Sequence, residues 1–580
     1  MSLISITFIL AVIICSVSIV YAFFFKKTKI AAFSEKGSKS NRKEPAGYKL
    51  FNKTIKITEK NLVILLLLIG ISARVLLFGS IPPGLNQDEA STGYDAYAIL
   101  NYGMDRNGFH NPVHITSWGS GQSALYVYFA MPFIALFGLN VMAVRAVNLV
   151  FGIISLLIFY LLAKRVSNRP VALLSLFLLA ISPWHIMMSR WAIDANLFPS
   201  VFLMAVFLLA LSFDDKRFLP ASLFVFALSL YAYPTAFFIV PIYLLIVFSY
   251  LLYHKKVDIR NDFKNLGMSM LLFTFTALPV FLFVIINYFK MDSIHTALFS
   301  VPRLTGPPRF SVASSLFNSD SQGGFYQNII EVLKIIINQD DGLIWNSIPE
   351  YGYMFLFSLP FLVIGFWKLV SENVLSKTGK FEKSFVFLAW LAVSLLLGSL
   401  LTPPNINRIN ILFIPLIFLI AAGIYYVVQN FRYFTVPVII LYVVSFSMFS
   451  FNYFSVYPEK TEQTFFESFG EAINYASDYA SERPDARIYV TNQVNMPYIY
   501  VLFYRRIDPE VFRSSVKFYN PGAEFQWVES FGRYRFGIKD VNQSENAVYV
   551  IHNSEKGKFD GSNFSIKKFK FYSVVTRKQG

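Results

Sequence analysis

The chain has 580 residues, of which 55% are hydrophobic and 18% aromatic, with a mean hydropathy of +0.50 and a formal net charge of +16. This is too apolar for a soluble domain and indicates a multi-span membrane protein. The positive charge does not call for nucleic acid as a partner, because Lys and Arg fall mainly in short loops between apolar runs, where topology accounts for them.

Residues 4–25 are apolar and are followed by Lys26, Lys27 and Lys29. A cleaved signal peptide carries its charge before the apolar core, so this order predicts a retained span with an outer N-terminus. The only cysteine, Cys15, lies in that run, which leaves no disulfide framework and no Cys/His metal cluster. Residues 26–60 are Lys-rich, with Ser, Gly and Pro, and read as a cytoplasmic linker. Residues 61–79 form the next span and lead into an outer loop, 80–121. The apolar stretch 122–138 is short, and a single crossing between 121 and Lys164 keeps the basic loops on one side. It therefore reads as an interfacial helix. Spans then alternate at 141–163, 171–189, 194–212, 218–233, 235–253, 265–289, 351–371, 384–401, 409–428 and 433–452, about twelve in all with the first. A long outer loop occupies 290–350.

From about 456 the character changes. Phe465 to Tyr479 and Pro497 to Tyr504 read as helices, and Ala486–Thr491, Arg533–Ile538, Ala547–Ile551 and Ser565–Val575 as strands. The expected division is a span and basic linker at 1–60, a helical membrane domain at 61–455, and a small outer α/β domain at 456–580. The last contains no nucleotide-binding glycine loop, metal motif or nucleophile motif.

The polar stretch Pro82 to Trp118 holds two adjacent acids, Asp88 and Glu89, at a membrane boundary among Leu85, Ala90, Tyr94 and Tyr97. On a helix adjacent residues diverge by about 100°, so the two acids do not form a matched pair. Their ordinary reading is a helix cap after Pro82-Pro83-Gly84. Asp194 starts another span at the same expected depth. Arg74, Arg145, Arg190, Arg303, Arg309 and Arg408 fall on or near the outer side, where topology does not ask for arginine, and guanidinium suits phosphate. Arg408, flanked by Asn405 and Asn407, is the candidate clamp. His185 fits a hydrogen-bonded core histidine or a substrate contact. Tyr94 and Tyr233 complete the candidate contacts. His110 and His114 lack metal-site spacing.

In order, the pieces Pro82 to Glu89, Gly103-Met104-Asp105-Arg106-Asn107-Gly108, Phe137-Gly138 with Arg145, Ser182-Pro183-Trp184-His185 with Ser189-Arg190 and Asp194, and Pro404-Asn405-Ile406-Asn407-Arg408 resemble the GT-C integral-membrane glycosyltransferases. Within them the likeness is to protein O-mannosyltransferases and the lipid A aminoarabinose transferase, a family 39-like group. It covers about 61–452.

The resemblance implies a sugar on a polyprenyl phosphate as donor, presented from the outer leaflet, and an acceptor from the aqueous side. Asp88 would then act as base or orient the acceptor, with Glu89 beside it, Asp194 as a second acid and Arg408 on the lipid phosphate. Many relatives carry a lysine near the outer end of the span that here ends Tyr231-Ala232-Tyr233-Pro234. That contact would fall to Arg190 or Arg303. Metal use varies in such enzymes, so the resemblance leaves room for a divalent cation. The reading is a bacterial plasma-membrane glycosyltransferase with its site and C-terminal domain outside. A flippase for lipid-linked sugars is the competing reading, against which stand the lack of internal repeats and the placing of polar groups at the rim rather than the midplane.

Overall fold

The computed structural model describes residues 58–306, 324–375, 381–523, 525–538 and 546–578. The expected span at 4–25, nearly all of the basic linker and Arg309 lie outside them. The protein is a multi-pass membrane protein built mainly of helices. Among the described residues six helical stretches are long and apolar enough to cross a bilayer: Val141–Val166, Asp194–Ser212, Ala236–Tyr253, Phe263–Phe289, Ile406–Asn430 and Arg432–Ser455. Shorter apolar helices run over Ala124–Phe137, Arg169–Ile181, Phe218–Ser229 and Phe385–Leu400.

One expected span and two expected loops differ in ways that shape the rim. The 171–189 segment breaks at Ser182-Pro183 into helices Arg169–Ile181 and Pro183–Met188. Proline disfavours helical geometry in the residue before it, and Ser182 is extended there. The loop at 80–121 contains a 16-residue helix, Gln87–Tyr102, most of it buried. Its low apolar content hid it from a reading based on hydropathy. The loop at 290–350 likewise contains helix Gly324–Asn338, which is amphipathic and packs on Phe385–Leu400.

Opposite charges mark one end of the bundle. Glu59 pairs with Lys164 at 2.7 Å and Arg169 at 3.6 Å, while Asp214 pairs with Arg165 and with Lys383 at 2.9 Å. Arg145 lies on the same helix as Lys164, roughly 28 Å away at 1.5 Å per residue, so the polar rim around Arg145 is at the other end.

The C-terminal region folds as a seven-stranded sheet, in the order Phe564–Lys568, Tyr572–Arg577, Ala547–His552, Arg487–Val490, Tyr534–Phe536, Val528–Phe531, Lys517–Phe518. Arg487–Val490 is parallel to both its neighbours, with Ile488 opposite Tyr534 and Val548, and the outer pairs are antiparallel. The expected 565–575 strand is two strands of a hairpin, because Phe569-Lys570-Phe571 turns the chain. Helix Phe469–Ser481 lies on the sheet, and helix Pro497–Arg505 packs against Gln87–Tyr102.

Candidate active site

The rim is assembled around Glu89. Asn86 caps the Gln87–Tyr102 helix, and its side chain accepts from the Glu89 amide at 2.9 Å while Glu89 Oε2 accepts from the Asn86 amide at 3.2 Å. This is a capping box with Asn in place of Ser or Thr. The same carboxylate takes a two-pronged ion pair from Arg145, Nε to Oε1 at 2.7 Å and a terminal nitrogen to Oε2 at 2.8 Å, and accepts from the Ala192 amide at 3.0 Å. A carboxylate offers about four lone-pair sites, and all four on Glu89 are filled. Both partners are fully buried.

Arg145 extends the knot by donating to the carbonyls of Pro82 at 2.7 Å and Gly84 at 3.0 Å. Gly84 has φ +73°, and a Cβ there would meet the Phe465 carbonyl oxygen at 2.2 Å, so only glycine fits. One buried ion pair thus joins the 79–84 loop, the Gln87–Tyr102 helix, the Val141–Val166 helix and the turn before Asp194.

Asp88, one residue earlier, is half-buried and differently placed. Its Oδ1 accepts from Trp118 Nε1 at 3.3 Å and from Gln122 Nε2 at 3.2 Å. Its Oδ2 accepts nothing among the described residues. The Gln122 amide is oriented by Ser91 and Ser117, whose hydroxyls donate to Oε1 at 2.7 and 2.9 Å. Arg106 donates to both serines, 2.8 Å from Ser117 Oγ, pairs with Asp95 at 2.9 Å, and lies 5.2 Å from the Trp118 ring centre. A buried chain therefore runs from Asp95 through Arg106, the two serines and Gln122 to Asp88. Next to it, burial pushes the Asp105 carboxyl up to about 7, and the Asp95 carboxylate adds to the effect. Asp105 Oδ1 accepts from the Asn107 and Phe109 amides, each at 2.9 Å, and its buried Oδ2 has no partner.

Asp194 opens helix Asp194–Ser212 and its Oδ2 accepts from the Ser123 amide at 3.1 Å. Gln122 holds Asp88 and Ser123 holds Asp194, so consecutive residues of one short strand tie the two acids together. The late arginine segment joins through its neighbours. Asn410 donates to the Ala195 carbonyl at 2.8 Å, and Asp341 accepts from the Ile406 amide at 2.8 Å. Arg408 is half-buried and spends one guanidinium nitrogen on the Thr402 and Pro403 carbonyls, at 3.3 and 3.0 Å. Asn405 caps its short helix by accepting from the Arg408 amide at 3.0 Å, and Asn407 is half-buried beside it. Tyr233 packs with Trp191, Ile193, Ala195 and Phe465 around the Asp194 turn.

Other sequence candidates have different surroundings. Arg190 is fully buried and donates to the carbonyls of Ile81 at 3.2 Å, Arg74 at 2.7 Å and Leu77 at 2.8 Å. Arg74, equally buried, donates to the carbonyls of Gly70, Leu179 and Ala180 and meets His185 Nδ1 at 2.6 Å. Both arginines spend their donors on backbone carbonyls, most of them near helix ends. Tyr94 is buried and donates to the Ile507 carbonyl at 2.6 Å. Arg303 is exposed, 3.7 Å from Asp292. Among the described residues no three His, Cys, Asp or Glu side chains gather as a metal site.

The C-terminal region, which carries no motif of its own, walls the rim. The Leu85 amide donates to the Phe465 carbonyl at 2.7 Å, and the Gln526 amide to the Trp118 carbonyl at 2.7 Å. Phe465 also meets Trp191 edge to face, with ring centres 5.9 Å apart. Sequence reasoning missed Gln122, Ser91 and Ser117 altogether. For Arg106 a signal existed, its place beside Asp105 in an otherwise glycine-rich turn.

The family model described as dolichyl-phosphate-mannose-protein mannosyltransferase matches residues 122–283. The crystal structure of ArnT from Cupriavidus metallidurans bound to undecaprenyl phosphate superposes with a TM-score of 0.52 at 11% identity, covering 89% of this chain and 97% of that one. The chain has the GT-C fold. More distant GT-C matches are the Archaeoglobus fulgidus oligosaccharyltransferase (TM-score 0.43, 12% identity, 77% and 63% covered) and the S. cerevisiae Pmt1-Pmt2 complex bound to its sugar donor (0.32, 14%, 42% and 36%). No curated protein sequence matches the chain.

Proposed function

We propose that this protein is a glycosyltransferase that moves a sugar from a polyprenyl-phosphate donor to an extracytoplasmic hydroxyl acceptor. The observation that carries the reading is the contrast between adjacent acids. Glu89 is saturated and buried, whereas Asp88 is held by one oxygen and keeps the other open at the rim. Glu89 and Arg145 act as positioning residues. Asp88 Oδ2 takes the proton of the acceptor hydroxyl as its oxygen bonds to the anomeric carbon. The bond from that carbon to the phosphate oxygen breaks, and its electron pair leaves on polyprenyl phosphate. With a phosphate as leaving group, the demands are removal of one proton and neutralisation of growing negative charge. Arg408 and Arg303, the arginines of the candidate set that are not fully buried, supply that charge. Asp194, tied to Asp88 through Gln122 and Ser123, orients the acceptor.

The test is turnover of a panel of radiolabelled polyprenyl-phosphate sugars by protein in lipid, comparing wild type with Asp88→Asn. Loss of a general base lowers turnover about 10²–10⁴-fold. Full activity in a well-folded Asp88→Asn protein would overturn the assignment. Movement of labelled lipid across proteoliposomes with no new glycosidic bond would support a flippase instead.

A further inference from the structure

A cavity with a largely apolar lining and a few charged side chains lies between the 340–350 loop and the end of the Thr435–Ser455 helix with the short helix after it. It has a volume of about 270 Å³, and its lining includes Asp340, Ser347, Ile348, Glu350, Tyr457 and Lys460. That volume is near the lower end of small-molecule sites, roughly 300–1,000 Å³, and suits one ring better than an oligosaccharide or a lipid chain. We infer that this cavity is a carbohydrate subsite that holds one neutral sugar ring of the acceptor, an inference that rests on the transferase reading.

The lining chemistry points to hydroxyls. Ser347 donates to Asp340 Oδ1 at 2.5 Å, which orients that carboxylate and leaves its second oxygen for a ligand. Glu350 and Lys460 are both exposed, and neither makes an ion pair among the described residues. Acceptors on Asp340 and Glu350 and donors on Lys460 match the alternating capacity of vicinal hydroxyls. Ile348 and Tyr457, both buried, back the cavity with apolar side chains. Two carboxylates against one ammonium make the cavity net negative, which disfavours phosphate or sulfate.

Its position gives the role. Trp345, on the same loop, packs into the apolar cluster of Trp191, Ile193 and Phe465 around the Asp194 turn. Asp341 ties the loop to Ile406, two residues before Arg408. One side of the loop therefore backs on the candidate transfer site while the other lines the cavity. A ring seated there is an outlying part of the acceptor, not the sugar in transit.

The experiment is saturation-transfer NMR on the full chain in nanodiscs, with methyl glycosides of neutral hexoses and N-acetylhexosamines as probes and glycerol 3-phosphate as the anionic control. Wild type and Asp88→Asn bind a neutral glycoside. Glu350→Gln and Lys460→Met weaken that binding about tenfold or more, the effect of losing one charged hydrogen bond. Both changed residues are exposed, and an unchanged thermal midpoint shows that the fold is kept. The inference falls if no glycoside binds, if both substitutions leave binding unchanged, or if glycerol 3-phosphate competes better than the glycosides. Glycoside binding with no polyprenyl-sugar turnover would overturn the transferase reading and leave the carbohydrate site standing. Asp88-dependent turnover with no glycoside binding would do the reverse.

Discussion

Replacing Arg145 by Met tests the centre of the rim without reference to any substrate. The change leaves Glu89, fully buried, with only the Asn86 and Ala192 amides as partners. Breaking a buried pair from one side costs about 3–5 kcal/mol, because the remaining charge stays buried and unpaired. The Pro82 and Gly84 carbonyls also lose their donor, which adds about 1–3 kcal/mol for a stranded buried group. The sum is roughly 5 kcal/mol, a large part of the 5–15 kcal/mol that holds a typical fold. The double variant Glu89→Gln with Arg145→Met removes both charges. It recovers about 2–4 kcal/mol, since the residual defect is polar rather than ionic. Denaturation of the purified chain in mixed micelles ranks the three proteins. The expected order is wild type, then the double variant, then Arg145→Met. If the double variant is no more stable than Arg145→Met, the ion pair does not hold the rim together and the argument from Glu89 fails.

Gln122→Leu removes the Gln122 donor to Asp88 and the shared acceptor for Ser91 and Ser117, while the Ser123 amide to Asp194 is unaffected. Losing a hydrogen bond to a charged group costs about 1.5–3 kcal/mol, so kcat/KM for sugar transfer falls about 10–100-fold with expression unchanged. Asp105 gives a pH test. Its folded value, raised from 3.8 to about 7, means that the fold keeps a proton that the unfolded chain releases. Its contribution to stability is therefore present below pH 3.8 and is lost as pH rises towards and through about 7. Asp105→Asn keeps the acceptor for Asn107 and Phe109 and cannot ionise. It is more stable than wild type above about pH 7, by up to a few kcal/mol, and the gap closes below about pH 4. Equal melting curves at both ends would show that Asp105 ionises freely in the fold.

The sequence by itself determined the membrane class, most of the long spans and the stretch from Pro82 to Trp118 as the place to look. Each of these is written locally, in runs of apolar residues and in charges at their ends. It also carried the order of motifs that resembles GT-C enzymes. Two of the C-terminal helices and most strands were legible because their periodicity is local, whereas the short helices Tyr457–Thr461 and Pro509–Ser515 were not read. What only the tertiary structure decided was which polar groups are spent. Asp88 and Glu89 are neighbours of like chemistry, and their difference is made by Arg145, Ala192, Trp118 and Gln122, up to 103 positions away along the chain. The arginines near the rim divide for the same reason. Arg74, Arg145 and Arg190 are drawn inward to satisfy carbonyls and a carboxylate that the broken helices and the capping box leave buried, whereas Arg408 keeps part of its guanidinium free. A hydrogen bond in a low-dielectric interior depends on which groups the packing brings together, and no local pattern of residue types encodes that.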